Sequence, residues 1–186
     1  MNIEQRIEET KQLLKEQYLA DDRPWVVTFS GGKDSSTVLH LTVEVLQELK
    51  QENKDTKIVY IVSSDTKVEM PLIDKYFFKK LEEIKKFIIK NQLNMKVAVV
   101  SPESKDSYWS LLLGRGYPSP NQSFRWCTDR LKIKPATKFL TTLSTNNKSI
   151  LMLLGVRSDE SQTRAISIEK RDRNHRGLVK HDNVPN

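Results

Sequence analysis

Trp25-Val26-Val27-Thr28-Phe29-Ser30-Gly31-Gly32-Lys33-Asp34-Ser35-Ser36 is the stretch on which the reading of this chain turns. Its first half is a short apolar run rich in β-branched and aromatic residues, the pattern of a buried strand. The second half breaks at Ser-Gly-Gly and restarts as a helix, with Val38, Leu41, Thr42, Val45, Leu46 and Leu49 at helical spacing and Glu44, Glu48 and Lys50 outward. A strand, a glycine turn and a helix N-terminus in that order build an anion site. The glycines let backbone approach a phosphate, and the unpaired N–H groups of the first turn point at it along the positive end of the helix dipole. Lys33 adds a mobile cation, and Ser30, Ser35 and Ser36 add hydroxyl donors. Asp34 suits such a place if a divalent cation or a bonded turn uses its carboxylate. The plainer alternative is a tight turn and helix cap with no ligand.

This is not a Walker loop, which needs a glycine where Val27 stands and Ser or Thr directly after the lysine, where Asp34 stands. Working outward, Ile3, Ile7, Leu14 and Tyr18 share one helical face of an opening segment (residues 1–20) that packs on the domain or on a partner. Asp21-Asp22-Arg23-Pro24 ends it. Past the loop-bearing helix, Lys57–Val62 reads as a second strand, followed by Ser63-Ser64-Asp65-Thr66. A long helix comes next, with Ile73, Phe77, Leu81, Ile84 and Ile88 inward. Met95–Val100 and Ser149–Leu154 read as third and fourth strands. Strands alternating with helices predict an α/β fold, a parallel sheet with helices on both faces. In such sheets ligands bind beyond the carboxyl ends of strands, near the switch in strand order. Each polar cluster follows a strand directly: Ser30–Ser36, Ser63–Glu69, Ser101–Asp106 and Gly155–Arg164. That coincidence predicts one site. Asp65 reads equally well as a site residue and as a strand-ending turn residue.

The chain has 186 residues, enough for one domain with its own core, residues 21–168, followed by a basic tail over 169–186. A net charge of +7 suits an acidic partner such as nucleotide or nucleic acid. The single cysteine, Cys127, excludes a disulfide framework. With no long apolar run and no cleavable leader, the expectation is a cytoplasmic protein without a membrane partner. Phe124–Pro135 gathers Arg125, Arg130, Lys132 and Lys134 around that lone thiol, and Gly155–Arg164 carries Arg157 and Arg164 where a turn and a new helix begin. Arginine forks suit phosphate or sulfate because they bond two oxygens at once, although most surface Arg and Lys are merely solvated.

Ser30–Ser35 resembles the Ser-Gly-Gly-x-Asp-Ser loop of the PP-loop ATP pyrophosphatases, which cleave ATP between its α and β phosphates. With Arg125-Trp126-Cys127…Lys132…Pro135 and Gly155-Val156-Arg157…Glu160-Ser161…Arg164, it stands in the order seen in the phosphoadenosine phosphosulfate (PAPS) reductase-like family, of adenine nucleotide α-hydrolase-like fold. Trp126-Cys127-Thr128, the long helix after Asp65 and the Pro-Asn end are most similar to the DndC-type DNA phosphorothioation sulfurtransferases. The resemblance implies that Ser30, Gly31, Gly32, Lys33, Asp34, Ser35 and Ser36 hold the pyrophosphate part of ATP, with Mg²⁺ bridging at Asp34 and Asp65 near the adenosine. It implies that Lys33, Asp34, Arg157 and Arg164 serve catalysis, the arginines gripping phosphate on the substrate side. It also implies DNA, a cysteine desulfurase as sulfur donor and other proteins of a DNA-modification complex as partners. Cys127 matches a [4Fe–4S] ligand in members that carry the cluster. Such members are longer and have further cysteines, so the expectation for this chain is an N-terminal fragment without its cluster and Cys127 as an ordinary thiol. Rival readings on the same fold are a sulfonucleotide reductase, a sulfate adenylyltransferase subunit and a non-catalytic nucleotide-binding scaffold.

Overall fold

A computed structural model of the chain describes residues 2–121, 123–144, 149–157, 159 and 166. Strands β1 (Trp25–Thr28), β2 (Val59–Ser64), β3 (Met95–Val100) and β4 (Leu151–Leu153) form one parallel sheet in the order β3-β2-β1-β4. Val27 lies between Ile61 and Leu153, which fixes the register at its centre. Near-continuous apolar runs make these strands, as expected where both sheet faces are covered. Helices α1 (Ile3–Ala20), α2 (Lys33–Gln51) and α3 (Pro71–Lys90) cover one face. Their Tyr18, Leu46, Leu49 and Leu81 pack on Trp25, Val27, Val59 and Ile61. Helix α5 (Lys134–Ser144) covers the other, with Leu140 on Val26, Val62 and Val100. The predicted fold class is the observed one.

The opening helix lies on the domain. Asn2 and Gln5 form a capping box at its start, and Leu14 and Tyr18 are buried. The Tyr18 hydroxyl donates to the Lys57 carbonyl (2.9 Å) and accepts from the Lys57 N–H (3.1 Å), tying α1 to the chain entering β2. Lys11 reaches Glu48 of α2 at 2.8 Å. Ile3 and Ile7, expected on the buried face, are exposed because only the second half of the helix overlies α2 and the sheet.

Three further expectations are corrected. The second strand starts two residues later than predicted, at Val59, and runs on through Ser63 and Ser64. Lys57 is diverted by its bonds to Tyr18. The fourth strand is only Leu151–Leu153, the length that pairs with β1. Ile73 is exposed rather than inward. A 20-residue helix spans about 30 Å at ~1.5 Å per residue, and a six-residue strand about 20 Å. The first turns of α3 therefore overhang the carboxyl edge of the sheet, which places them beside the glycine loop. Among the described residues no helix is long and apolar enough to cross a membrane.

Candidate functional site

The strand order places the site. From β1 the chain moves outward through β2 to β3, then returns by way of α5 to pair β4 on the other side of β1. The direction reverses between β1 and β4, and the crevice beyond their carboxyl ends is the switch point where α/β sheets bind ligands. Ser30–Ser36 leaves β1 there, and Gly155–Arg157 leaves β4 there.

Gly31 holds φ at +78°, a backbone state that L side chains rarely adopt. The turn it makes is closed by serines. The Ser30 N–H donates to Ser35 Oγ at 3.2 Å, the two hydroxyl oxygens lie 3.0 Å apart, and Ser35 Oγ reaches the Gly32 carbonyl at 3.0 Å. Ser36 Oγ donates to the same carbonyl at 2.8 Å. Ser35 is buried, so its hydroxyl shapes the loop rather than facing outward. No side chain caps Gly32 at the start of α2, which leaves the first-turn N–H groups directed out of the helix end. Lys33 is exposed and joins no ion pair among the described residues. Phe77, on the overhanging part of α3, sits 3.8 Å from where a Gly31 Cβ would lie.

The two motifs meet. Arg157 Nε lies 3.3 Å from Asp34 Oδ2, and its terminal nitrogen lies 3.5 Å from Asp159. Gly155 packs so tightly on the first turn of α2 that a Cβ would stand 2.7 Å from Asp34 C and Ser35 N. Only a glycine permits that approach. Both partners of the Asp34–Arg157 pair are partly solvated, at 25% and 43% side-chain exposure. Arg164 lies outside the described residues.

Asp65 stands just past β2, with its N–H on the Val100 carbonyl (2.8 Å) and its Oδ1 accepting from the Lys67 N–H (2.9 Å). That is the bonding of a strand-ending turn. Beside it Ser63 Oγ is buried without a hydrogen-bond partner, on the sheet face shared with Val59 and Ile61.

Cys127 is half-buried on the short helix α4 (Trp126–Thr128), apart from the β1–β4 crevice in chain order. Trp126 anchors that segment by stacking on Tyr108 and by donating to the Pro118 carbonyl at 2.9 Å. A [4Fe–4S] cluster needs four ligands, usually thiolates, and this chain has one cysteine. Among the described residues no group of three or more His, Cys, Asp or Glu side chains is placed to hold a metal ion. The residues present do not fit a cluster. A magnesium–triphosphate complex is a different case, because Mg²⁺ is commonly held by one or two carboxylates together with substrate phosphates. The half-solvated Asp34 carboxylate at the mouth of the loop fits that role.

The cluster Ser101–Asp106, grouped by the sequence into one site with the other post-strand clusters, lies instead past β3, at the sheet edge farthest from β4, and its partners were not foreseen. Asp106, buried at the end of a single 3₁₀ turn (Ser104–Asp106), bonds Lys134 Nζ at 2.5 Å and faces Arg130 (3.9 Å) and Arg115 (4.0 Å). The Lys134 hydrogen bond and the surrounding cations hold its carboxyl below the usual range. The spacing of Arg130, Lys134 and Lys138 was its available signal.

A model of the phosphoadenosine phosphosulfate reductase domain matches residues 24–181. Two proteins of Methanocaldococcus jannaschii are similar. The uncharacterized protein MJ0066 is 28% identical over 152 residues, 82% of this chain and 26% of its own length. The uncharacterized protein MJ0973 is 29% identical over 137 residues, 74% of this chain and 26% of its own length. This chain thus spans about a quarter of each. Among solved structures, the U34-tRNA thiolase NcsA from Methanococcus maripaludis with its [4Fe-4S] cluster aligns at 13% identity with a TM-score of 0.49, over 91% of this chain and 52% of that one. The match to the family model covers most of the sequence and takes in the loop, the Trp126-Cys127 segment and the Gly155–Arg164 motif: the chain belongs to the phosphoadenosine phosphosulfate reductase domain family.

Proposed function

We propose that this chain is the ATP-pyrophosphatase part of a DNA phosphorothioation sulfurtransferase of the DndC type. A DNA phosphodiester does not exchange a non-bridging oxygen for sulfur, because oxide is too poor a leaving group. In the proposed reaction that oxygen attacks the α-phosphorus of ATP, the α–β bond breaks, and pyrophosphate leaves with the bond's electron pair. The DNA phosphate now carries AMP. A sulfur nucleophile delivered by a cysteine desulfurase then attacks the DNA phosphorus, and AMP departs with the original oxygen. The chain contributes position and charge. The first-turn N–H groups of α2 and Lys33 receive the departing pyrophosphate, and Ser30, Gly31, Gly32, Ser35 and Ser36 fix the turn that presents them. Asp34 would hold Mg²⁺ together with the phosphates, and the ion would neutralise charge on the leaving group. Arg157 and Arg164 steady the acceptor phosphate, and Asp65 lies toward the adenosine.

The observation that carries this reading is the meeting of Asp34 and Arg157 at the switch point, with Gly155 against the Asp34–Ser35 backbone. Arg157 pairs with Asp34, and both are solvated enough to exchange partners, Asp34 for a cation and Arg157 for a phosphate. The test is incubation with Mg²⁺ and ATP labelled at the α or the γ position, with and without DNA. AMP and pyrophosphate are expected; ADP and phosphate would overturn the reading. The family assignment itself favours a second reading, in which the crevice binds an adenylyl sulfate for thiol attack on its sulfur. Sulfite release from that substrate, with no pyrophosphate from ATP, selects it.

A further inference from the structure

A cavity of about 270 Å³ opens beyond the carboxyl end of β3, at the sheet edge farthest from β4. One wall is the segment leaving β3, with Ser101, Glu103 and Asp106; the other is a helical face carrying Arg130, Lys134 and Lys138. The helix reaches this wall through a π turn, Asp129–Ile133, just before Lys134-Pro135. Pro135 has no N–H to return to the preceding turn, which explains the local rewinding, and such turns often mark functional places.

The charges are not balanced. Arg115, Arg130, Lys134, Lys138 and Lys105 face Asp106, Glu103 and Asp129, five cations to three carboxylates. Asp106 commits Lys134 through its 2.5 Å contact. Arg130, at 3.9 Å from the same carboxylate and 3.8 Å from the solvated Asp129, is only loosely held by either. Lys138 pairs at 2.8 Å with Glu103, and both of those side chains are largely solvated. Like charges at four-residue spacing on a helix repel, so this face is built at a cost that an oxyanion relieves.

We propose that this cavity seats a phosphodiester group of a polynucleotide, with Arg130 and Lys138 as its donors. The nucleic-acid backbone then runs along the carboxyl edge of the sheet toward the target phosphate between β1 and β4. Three strand spacings of ~4.8 Å separate β3 from β4, about 14 Å, close to the rise of about four nucleotides at ~3.4 Å each. The inference rests on the reading above that the substrate is a nucleic acid.

The test is fluorescence anisotropy of the full chain with a labelled DNA duplex of two helical turns and, separately, bulk transfer RNA, across a salt series. Arg130→Gln with Lys138→Gln should weaken binding of at least one polymer roughly tenfold and lower the salt slope by about 2, near 0.9 per lost contact on duplex DNA. Glu103→Gln, a surface change that frees Lys138, should tighten binding several-fold, which guards against misfolding of the double variant. Unchanged affinity and slope in both variants overturn the inference while leaving the reaction reading intact. No binding of either polymer by the wild-type chain overturns both. If the double variant loses only stabilisation by inorganic phosphate and keeps its polymer affinity, the cavity is a small-anion site and the inference fails.

Discussion

Asp34 and Asp106 are both carboxylates at the carboxyl edge of the same sheet, and each faces arginine. They are built for opposite purposes. Asp106 is 6% exposed, bonded at 2.5 Å to Lys134 and flanked by two arginines. Asp34 is 25% exposed and meets one arginine at 3.3 Å, itself shared with Asp159. A buried carboxylate with several partners cannot give them up without stranding charge. A solvated pair is worth little and exchanges readily. The difference separates a carboxylate committed to its partners from one that can exchange them.

The largest effect expected from that contrast is at Asp34. Asp34→Ala should cut pyrophosphate release by at least ~10², the order lost with one charge-stabilising group in an active site, while thermal unfolding stays nearly unchanged. Asp106→Asn should do the reverse. Equal turnover in Asp34→Ala and wild type would remove the loop from the chemistry. Next comes Gly155→Ala, which forces a Cβ to within 2.7 Å of backbone at Asp34 and Ser35. Neither neighbour is a flexible side-chain tip, so the loop or the start of α2 must move. Overpacking of this kind costs about 1–3 kcal/mol, and a displacement near 1 Å at a reacting site can cost ~10² in rate. A melting scan and the labelled-ATP assay read the two losses separately. If Gly155→Ala is silent in both, the close approach of the β4 loop does not position Asp34.

Much of this is legible in the sequence. The run Trp25–Phe29 reads as a buried strand and Ser-Gly-Gly after it as a turn, so the loop and the sheet class followed from residue type and turn chemistry. The strand order was not legible, because short parallel strands of similar composition do not declare their neighbours. Hence the sequence could place Gly155 and Arg157 after a strand but could not say that this strand lies beside β1. Asp65 shows the opposite limit: its residue type suits a site and a turn equally, and its carboxylate bonds the Lys67 N–H. Ser101–Asp106 was placed after a strand, but the burial of Asp106 among cations distant in sequence escaped, because that is a tertiary property that a short Ser-Lys-Asp stretch does not advertise. Arg164 and residues 169–186 lie outside the described residues, so the structure adds nothing to what was expected of them.

The Asp106 half of the contrast can be broken by acid. Lys134 and the nearby arginines hold its carboxyl below the ordinary 3.8. A carboxylate depressed in the folded state contributes stability that is complete above the unfolded value and is lost as pH falls through the folded one. Asp106→Asn should therefore cost about 1–3 kcal/mol near neutrality, roughly 2–4 °C in melting temperature per kcal/mol for a chain of this size. Below pH 3.8 the variant and wild type should converge. Curves that stay parallel through the acid limb would mean that Asp106 is replaceable.

The smallest expected effect tests whether burial alone, without a full set of partners, commits a charge. Lys57 lies at the opposite edge of the sheet with 8% of its side chain exposed. Its Nζ donates to the Asp21 carbonyl, stands over the Tyr18 ring at 4.5 Å, and finds its nearest carboxylate oxygen only at 3.9 Å. Burial, the dominant cause, lowers its pKa from the ordinary 10.5. The sign is opposite to that of Asp106: folding disfavours the charged form, so the cost is complete below the folded pKa and is relieved as pH rises toward 10.5. Lysines with raised values, such as Lys11 and Lys138, lose stability over alkaline pH, but they do so equally in wild type and variant. Lys57→Met should thus be neutral to slightly stabilising at pH 7, as apolar replacements of poorly compensated buried charge often are. Its advantage should shrink with rising pH in paired denaturant titrations. An advantage that instead grows toward pH 10.5 would show that the Asp21 carbonyl and the Tyr18 ring compensate the ammonium fully, and that a buried charge here needs no carboxylate to be committed.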